Sequence, residues 1–179
     1  SPGRVASGIG VATAPMRHSS DRRRHPSRTL MRGRRGLVMG VANDHSIAWG
    51  IAKAVHAQGA ELAFTFQGDA FERRVRPLAE SVGSSLVLPC DVTDAASLDA
   101  VFDALGKAWD RLDFVVHAIA YSDKNELTGR FVDTTRENFL RTMDISCFSF
   151  TDVARRAAPM MTGGGALVTL TYLGAEKVD

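Results

Sequence analysis

The sequence predicts an α/β fold in which helices cover both faces of a parallel sheet. Five short apolar segments alternate with amphipathic segments of helical periodicity, which gives the order βαβαβαβαβ. Several of the apolar runs are continuous rather than alternating, as is typical of parallel strands that are buried on both faces. With right-handed crossovers between the strands, this order produces a doubly wound sheet.

Composition places the chain among ordinary globular proteins. Its 179 residues suffice for one domain with a core, and 45% are hydrophobic and 23% charged. No apolar run approaches the roughly 20 residues that span a bilayer, so we expect no membrane partner. Cys90 and Cys147 lie in apolar surroundings without metal-ligand spacing. We therefore predict two reduced core cysteines, no metal site and a cytoplasmic protein.

The first 30 residues differ from the rest. Residues 1–30 contain six arginines and one acid, a charge of +5, so the net charge of +2 leaves −3 for residues 31–179. The stretch has no apolar periodicity, which predicts a disordered basic extension before a domain at residues 31–179. A transit peptide or a nucleic-acid-binding tail are alternatives, but we favour a non-native extension with the true start at Met31. The mildly acidic body does not predict nucleic-acid binding.

The first strand and helix frame a possible anion site. Residues 36–39 form a buried strand that ends at Gly40, and residues 46–58 form a helix with Ile47, Ile51, Ala54 and Val55 on one face. The helix N-terminus then lies just beyond the strand, where unpaired N–H groups and the helix dipole suit a pyrophosphate. The fingerprint G-x-G-x-x-G is absent, however, so from these residues alone a purely structural turn remains equally open.

Two further strand–helix units follow. Residues 60–66 form a strand, and residues 69–82 form a helix capped by Asp69 and bent or shortened by Pro77. Residues 84–90 form the third strand and residues 112–119 the fourth. The helix between them begins at Asp94, with a buried stripe of Leu98, Val101, Phe102, Leu105 and Trp109.

The last unit begins with a polar loop at residues 120–133. A long helix starts near Thr134 or Thr135, with one apolar stripe at Phe139, Met143, Cys147, Phe150, Ala154 and Ala158 and a second at Leu140, Ile145 and Phe148. We therefore expect it to pack against both the sheet and a partner subunit. The fifth strand covers residues 166–171. Because a full doubly wound dinucleotide fold has at least six strands, we expect a Rossmann-like sheet truncated after the fifth.

Several residues at the strand ends are candidates for nucleotide binding. Gln67 follows the second strand, where such folds often bind the adenosine ribose, although an exposed turn glutamine is the alternative. Asp91 follows the third strand and can accept the adenine amino group, with Val92 beside the ring. Alternatively, Asp91 caps a turn. The second strand ends without a basic residue, which favours NADH, but Arg73 and Arg74 keep NADPH open.

These motifs together resemble the NADH-type enoyl-acyl-carrier-protein reductases of the short-chain dehydrogenase/reductase superfamily. The similar strings are Gly-(five residues)-Ser-Ile-Ala-x-Gly at residues 40–50, His-Ala-Ile at residues 117–119 and Leu-Thr-Tyr-Leu-Gly at residues 170–174. The resemblance implies a cofactor site made by Gly40, Ser46, Ile47, Gln67, Asp91, Val92 and Ile119. It also places the backbone at Ser122 against the acyl substrate and makes Tyr172 an active-site tyrosine. His117 is assigned no role.

The chain departs from the family at Ala120 and Tyr121, where glycine and phenylalanine are usual. The family's second tyrosine would fall beyond Asp179, and Lys177 does not fit the spacing of the family's ribose-binding lysine, so we interpret it as a surface residue. The resemblance implies hydride transfer from NADH to a trans-2-enoyl thioester on acyl carrier protein, by a homotetramer. We expect a C-terminally truncated and inactive chain. A catalytically silent nucleotide-binding module and another short-chain reductase are the alternatives.

Overall fold

The computed structural model describes residues 30–171, which form one five-stranded parallel sheet with helices on both faces. The strands lie in the order β3-β2-β1-β4-β5, as expected for a doubly wound fold. They are β1 at Arg35–Met39, β2 at Glu61–Phe66, β3 at Val87–Pro89, β4 at Phe114–His117 and β5 at Ala166–Thr169. The predicted fold class is therefore confirmed.

The register aligns the carboxyl ends of the central strands. Met39 of β1 pairs with His117 of β4, and His117 pairs in turn with Thr169 of β5. Consequently the loops that follow these strands leave the sheet at the same edge. A parallel sheet binds ligands at this edge.

The helices divide between the two faces of the sheet. Helix α1 covers Ile47–Ala57, α2 covers Asp69–Ser81 and α3 covers Ala95–Ala108. The long last helix comprises α4 at Arg136–Met143, a π-helical turn at Asp144–Phe148 and α5 at Ser149–Ala157. Helices α1 and α2 pack on one face over Val38, Phe64 and Val116. Helices α3 and α5 pack on the other face over Leu37, Met39 and Val115.

The predicted face of α1 is partly wrong. Ile47 is 68% exposed and Ala54 is exposed as well, whereas the helix buries Ala48, Trp49 and Ala52. The Trp49 ring packs against Phe64 of β2 with ring centroids 6.1 Å apart. Because an aromatic side chain buries more area than an isoleucine, Trp49 determines which side of the helix turns inward.

Helix α2 also differs from its prediction. Its N-cap is Gly68, with φ +80°, and Asp69 is the first helical residue. Pro77 lies inside the helix, which continues to Ser81. Because Pro77 is on the exposed side, water can satisfy the carbonyl group that the missing N–H leaves unpaired. The stripe of α3, by contrast, is buried as predicted, and Asp94 caps α3 by accepting a hydrogen bond from the Ala96 N–H at 3.0 Å.

The two apolar stripes predicted for the long helix do not form its buried face, although Phe150 and Ala154 of the first stripe are half-buried. Phe139, Met143 and Phe148 are each about half exposed, and the buried positions are Asn138, Ser149, Asp152, Val153 and Ala157. The π-helical turn adds a residue to one turn, so a stripe counted at 3.6 residues per turn does not stay on one face through it. Polar groups with hydrogen-bonding partners, rather than apolar ones, occupy much of the buried face.

The two cysteines have different environments. Cys90 is buried, as predicted, and burial together with the nearby Asp91 raises the pKa of its thiol to about 11. Cys147 is exposed, so the prediction of a second core cysteine is wrong. It lies on the π-helical turn, whose outer side carries it away from the sheet. Across residues 30–171, no helix has the length and apolarity needed to cross a bilayer.

Candidate cofactor cleft

A cleft of about 290 Å³ opens at the carboxyl edge of the sheet. Loops that follow β1, β2, β3 and β4 line it, and it is at the lower end of the size range of ligand pockets. Five of the residues proposed from the sequence lie in its wall: Gly40, Gln67, Asp91, Val92 and Ile119. Ser46, Ile47 and Ser122 lie outside the cleft wall, on the segments that follow β1 and β4.

Gly40 allows β1 to end close to β4. Its φ is +94°, and a Cβ built there would lie 2.0 Å from the carbonyl oxygen of Ala118. The two strand ends are also joined by a hydrogen bond of 3.0 Å from the Ala118 N–H to the Met39 carbonyl. Only glycine satisfies both requirements, and the close approach makes the floor of the cleft.

Ser46 organises the loop between β1 and α1. Its hydroxyl oxygen accepts hydrogen bonds of 3.0 Å from the N–H groups of Ala42 and Asn43. The Asn43 side chain accepts in turn from the His45 N–H at 2.9 Å. Ser46 is the N-cap of α1 by position, but its side chain does not cap the helix. The N-terminus of α1 therefore retains donors for an anion, with the exposed Ile47 as its first residue.

Asp91 holds the turn after β3. Its carboxylate accepts hydrogen bonds from the hydroxyl group of Thr93 at 2.7 Å and from the Thr93 N–H at 2.9 Å. These bonds lower the pKa of Asp91, and weaker contributions come from Gln67 and the charge of Arg141. The alternative in which Asp91 caps a turn therefore describes its geometry correctly. The same carboxylate also lies in the cleft wall, so the two roles are compatible.

Aromatic and apolar side chains that the sequence analysis did not assign to the cofactor site complete the cleft. Phe71, Tyr121 and Ile145 all line it. Phe71 is 39% exposed, because α2 presents its first turn to the cleft. The guanidinium group of Arg141 lies 4.9 Å from the centre of the Tyr121 ring, in the range of a cation–π contact. A helix–strand pattern does not reveal such a contact between distant segments.

The segment after β4 is tied to the long helix. Asn138 is buried; its side-chain oxygen accepts from the Asp123 N–H at 2.9 Å, and its amide nitrogen donates to the Ser122 hydroxyl at 3.2 Å. Ser146 accepts from the Tyr121 N–H at 2.9 Å and donates to the Tyr121 carbonyl at 3.2 Å. The backbone around Ser122 is thus held in place from both sides. Tyr172 and Lys177 lie outside the described residues, as does nearly all of residues 1–30.

A parallel doubly wound sheet with a cleft at this edge defines the class of α/β proteins that bind nucleotides at the carboxyl ends of their strands. The model of the family described as "Enoyl-(Acyl carrier protein) reductase" matches residues 40–178. The chain therefore belongs to the enoyl-acyl-carrier-protein reductase family.

Known proteins similar to this chain carry the same description. An NADH enoyl-acyl-carrier-protein reductase of Rhizobium meliloti is 64% identical over 149 residues, which are 83% of this chain and 56% of that protein. The FabI reductase of Rickettsia felis is 48% identical over 149 residues, with 83% and 57% covered. The chain thus spans a little more than half the length of these curated relatives.

Solved structures agree with the fold. The crystal structure of FabI from Candidatus Liberibacter asiaticus superposes with a TM-score of 0.82 at 54% identity, covering 84% of this chain and 58% of that one. The reductase of Anaplasma phagocytophilum, crystallised in complex with NAD, gives a TM-score of 0.81 at 60% identity, with 84% and 57% covered.

Proposed function

We propose that residues 31–179 are the cofactor-binding part of an NADH-dependent enoyl-acyl-carrier-protein reductase of fatty-acid synthesis. The observation that carries the proposal is the cleft, in which Gly40, Gln67, Asp91, Val92 and Ile119 come together from four separate loops. The relatives support the choice of cofactor, because they are named NADH reductases and the Anaplasma structure contains NAD. Bound NADH would supply the hydride that reduces a trans-2-enoyl thioester.

The chemistry of the cleft fits a dinucleotide. The N-terminus of α1, organised by Ser46 and begun by Ile47, offers N–H donors to a pyrophosphate. The Asp91 carboxylate, kept ionised by its lowered pKa, would accept the adenine amino group. The Val92 N–H would meet the adenine ring, and Ile119, which follows the central strand β4, would contact the cofactor through its backbone and side chain. A volume of about 290 Å³ holds part of a dinucleotide, so the remainder would extend along the sheet edge.

Gln67 and Ser122 have distinct proposed roles. Gln67 follows β2 at the outer end of the cleft and would donate to the adenosine ribose. Nothing basic stands at the end of β2, which favours NADH, while Arg73 and Arg74 in the second turn of α2 leave NADPH as the weaker alternative. The backbone at Ser122, held by Asn138, would position the acyl chain. Tyr172 would line the acyl pocket as a catalytic residue.

The partners and location are also proposals. The substrate would be an enoyl thioester of acyl carrier protein, and the protein would act in the cytoplasm as a homo-oligomer, a tetramer by the family resemblance. The support for association is the row of half-exposed apolar side chains on the outer side of the long helix: Phe139, Leu140, Met143 and Phe148. Side chains of this kind, exposed together, mark protein interfaces.

The proposal is tested by NADH binding and turnover. The 179-residue chain should bind NADH saturably, and Asp91→Ala should weaken binding at least about tenfold, since a hydrogen bond to a charged group contributes about 1.5–3 kcal/mol. The matched control is Asp103→Ala, which removes an exposed carboxylate of α3. The absence of saturable NADH binding would contradict the proposal.

Turnover separates a reductase from a silent nucleotide-binding module. The chain would be extended at its C-terminus with the part of the Rhizobium meliloti relative that follows the matched region, and NADH oxidation would be followed with crotonyl thioester. We expect turnover by the extended chain and a strong loss of it with Tyr172→Phe. Binding of NADH without turnover by the extended chain would favour the silent module.

A further inference from the structure

His117 is a fully buried histidine whose ring nitrogens both have partners. Its Nε2 lies 2.7 Å from the Ser149 hydroxyl oxygen, and its Nδ1 lies 3.2 Å from the Thr169 hydroxyl oxygen. The ring also packs edge-on against Phe150 at 5.5 Å between centroids. His117 is the last residue of β4, so it connects the sheet edge to the long helix and to β5.

The hydrogen bonds determine the tautomer of His117. The Ser149 hydroxyl donates to the Ile145 carbonyl at 2.6 Å, so it must accept from His117. The proton of the neutral ring is therefore on Nε2, and Nδ1 accepts from the Thr169 hydroxyl. Burial lowers the pKa of His117, in agreement with a neutral ring in this network.

The same serine belongs to the π-helical turn. The Ser149 N–H donates to the carbonyl of Asp144, five residues earlier, which is the hydrogen bond that defines a π turn. The Ser149 hydroxyl group donates a hydrogen bond to the carbonyl of Ile145. Ser149 thus holds the π-helical turn through both its backbone and its side chain. His117 in turn holds the Ser149 hydroxyl.

Two residues of the π-helical turn reach the cleft. Ile145 lines the cleft directly. Ser146 holds the backbone of Tyr121 through hydrogen bonds to both its N–H and its carbonyl. Tyr121 in turn lines the cleft and precedes Ser122. A regular α-helix would rotate these side chains away from their present partners, because it contains one residue fewer in that turn.

We propose that His117 is a positioning residue: through Ser149 it fixes the π-helical turn, and the turn places Ile145 and Tyr121 in the cleft wall. The inference rests on the proposed cofactor site for its functional consequence, but its structural part is independent of it. His117 itself contacts neither cofactor nor substrate in this scheme. Its role is to keep the helix in a register that completes the cleft.

The test compares His117→Leu, His117→Gln and Ser149→Ala in the 179-residue chain. His117→Leu removes both hydrogen bonds, whereas His117→Gln retains one donor and one acceptor. The matched control is Leu105→Ala, a fully buried residue of α3 in the same core but away from the π-helical turn. Hydrogen exchange of the Tyr121 amide reports on the turn, and NADH titration reports on the cleft.

We expect His117→Leu and Ser149→Ala to accelerate exchange of the Tyr121 amide and to weaken NADH binding, each by up to about tenfold, the upper end of what the hydrogen bond that both variants lose, between His117 and Ser149, contributes. His117→Gln should restore part of both. Leu105→Ala should lower the melting temperature with little effect on either readout. If His117→Leu does not fold, Ser149→Ala and His117→Gln still supply the comparison.

The outcomes distinguish the two proposals. Should Leu105→Ala change both readouts as much as Ser149→Ala does, His117 would be an ordinary core residue and the inference wrong. Unchanged Tyr121 exchange in all His117 and Ser149 variants would overturn it as well. If the parent chain binds no NADH while the exchange pattern appears as expected, the proposed function fails and the positioning role stands.

Discussion

At the scale of single residues, Gly40 and Gly50 have different structural roles although both belong to the same sequence motif. A Cβ at Gly40 would collide with the Ala118 carbonyl in a left-handed backbone conformation, whereas a Cβ at Gly50 would meet no atom within 4 Å. Gly40 is therefore required by the sheet itself. The protein's own packing, as far as residues 30–171 describe it, does not require glycine at position 50.

We predict opposite effects for alanine at these two positions. Gly40→Ala should lower the free energy of unfolding by about 2 kcal/mol or more, because it combines backbone strain with a clash. Gly50→Ala should raise it by up to about 1 kcal/mol, since alanine favours the helix. Urea denaturation measures both. Equal stability of Gly40→Ala and the parent would mean that β1 and β4 can separate at this edge without cost.

Asp113 plays a structural role at the amino ends of the strands, on the side of the sheet opposite the cleft. Its nearly buried carboxylate accepts hydrogen bonds from Arg34 at 2.7 Å, from the Arg35 N–H at 2.9 Å and from Arg111 at 3.2 Å. Burial opposes ionisation, but these donors outweigh it and hold the pKa below its usual value of 3.8. Asp113 therefore joins the start of β1 to the start of β4.

Asp113→Asn should lower the free energy of unfolding at pH 7 by about 1.5–3 kcal/mol, the value of hydrogen bonds to a charged group. Because the folded pKa is below the unfolded one, this stabilisation is fully present above pH 3.8 and declines as the pH falls through the folded pKa. The difference between parent and variant should thus shrink in acid. Asp103→Asn, at an exposed position of α3, is the control and should change stability by less than about 0.5 kcal/mol. A difference that is constant from pH 7 to pH 2 would contradict the assignment.

At the scale of elements, the long helix shows how one extra residue in a turn changes the face on which the following side chains lie. Phe139, Met143 and Phe148 of the two predicted apolar stripes lie on the outer side, and polar residues such as Asn138 and Ser149 face inward. They are stable there because the loop after β4 and His117 provide hydrogen-bonding partners. The exposed apolar row then remains for contact with another molecule.

We predict that this row mediates self-association. Phe139→Glu should shift the chain toward monomer, since it places a charge in a surface of apolar side chains. Sedimentation velocity measures the change. Leu30→Glu is the matched control, because Leu30 is also exposed, at 80%, but precedes β1 and lies apart from the helix. The proposal of a homo-oligomer through this helix would be wrong if both variants sediment as the parent does.

At the scale of the whole molecule, β5 is the least covered strand among the described residues. It pairs with β4 along one side, yet all four of its residues, including Leu167 and Val168, are exposed. By contrast, the strands β1 and β4 are buried on both faces. An exposed apolar strand at a sheet edge favours aggregation.

We expect the chain extended with the C-terminal part of the Rhizobium meliloti relative to melt at a higher temperature than the 179-residue chain. Covering Leu167 and Val168 removes apolar surface from water at about 25 cal/mol per Å². Light scattering during heating should also show less aggregation. A melting temperature that the extension leaves unchanged would indicate that β5 is not covered by it.

The sequence alone determined the order of strands and helices, the parallel sheet and the position of the candidate site. Continuous apolar runs, the stripe of α3 and polar residues after the second and third strands are local signals. Gly40, Gln67, Asp91 and Val92 followed from their places at strand ends, whereas Ile119 was implied by the family resemblance; all five lie in the cleft wall. The predicted strands are confirmed in the structure because a strand buried on both faces of the sheet requires a continuous run of apolar residues. The strands β3 and β4 were predicted to be longer than they are in the structure.

Only the tertiary structure decided which helix faces turn inward and which side chains complete the cleft. Trp49 rotates α1 by packing on Phe64, and the π-helical turn changes the phase of the long helix. Tyr121, Ile145 and Phe71 enter the cleft wall through contacts between segments far apart in the chain. Such contacts depend on the competition between large side chains and on buried hydrogen-bond partners such as His117 and Ser149. Because these contacts form between different elements, the residue pattern within one element does not predict them.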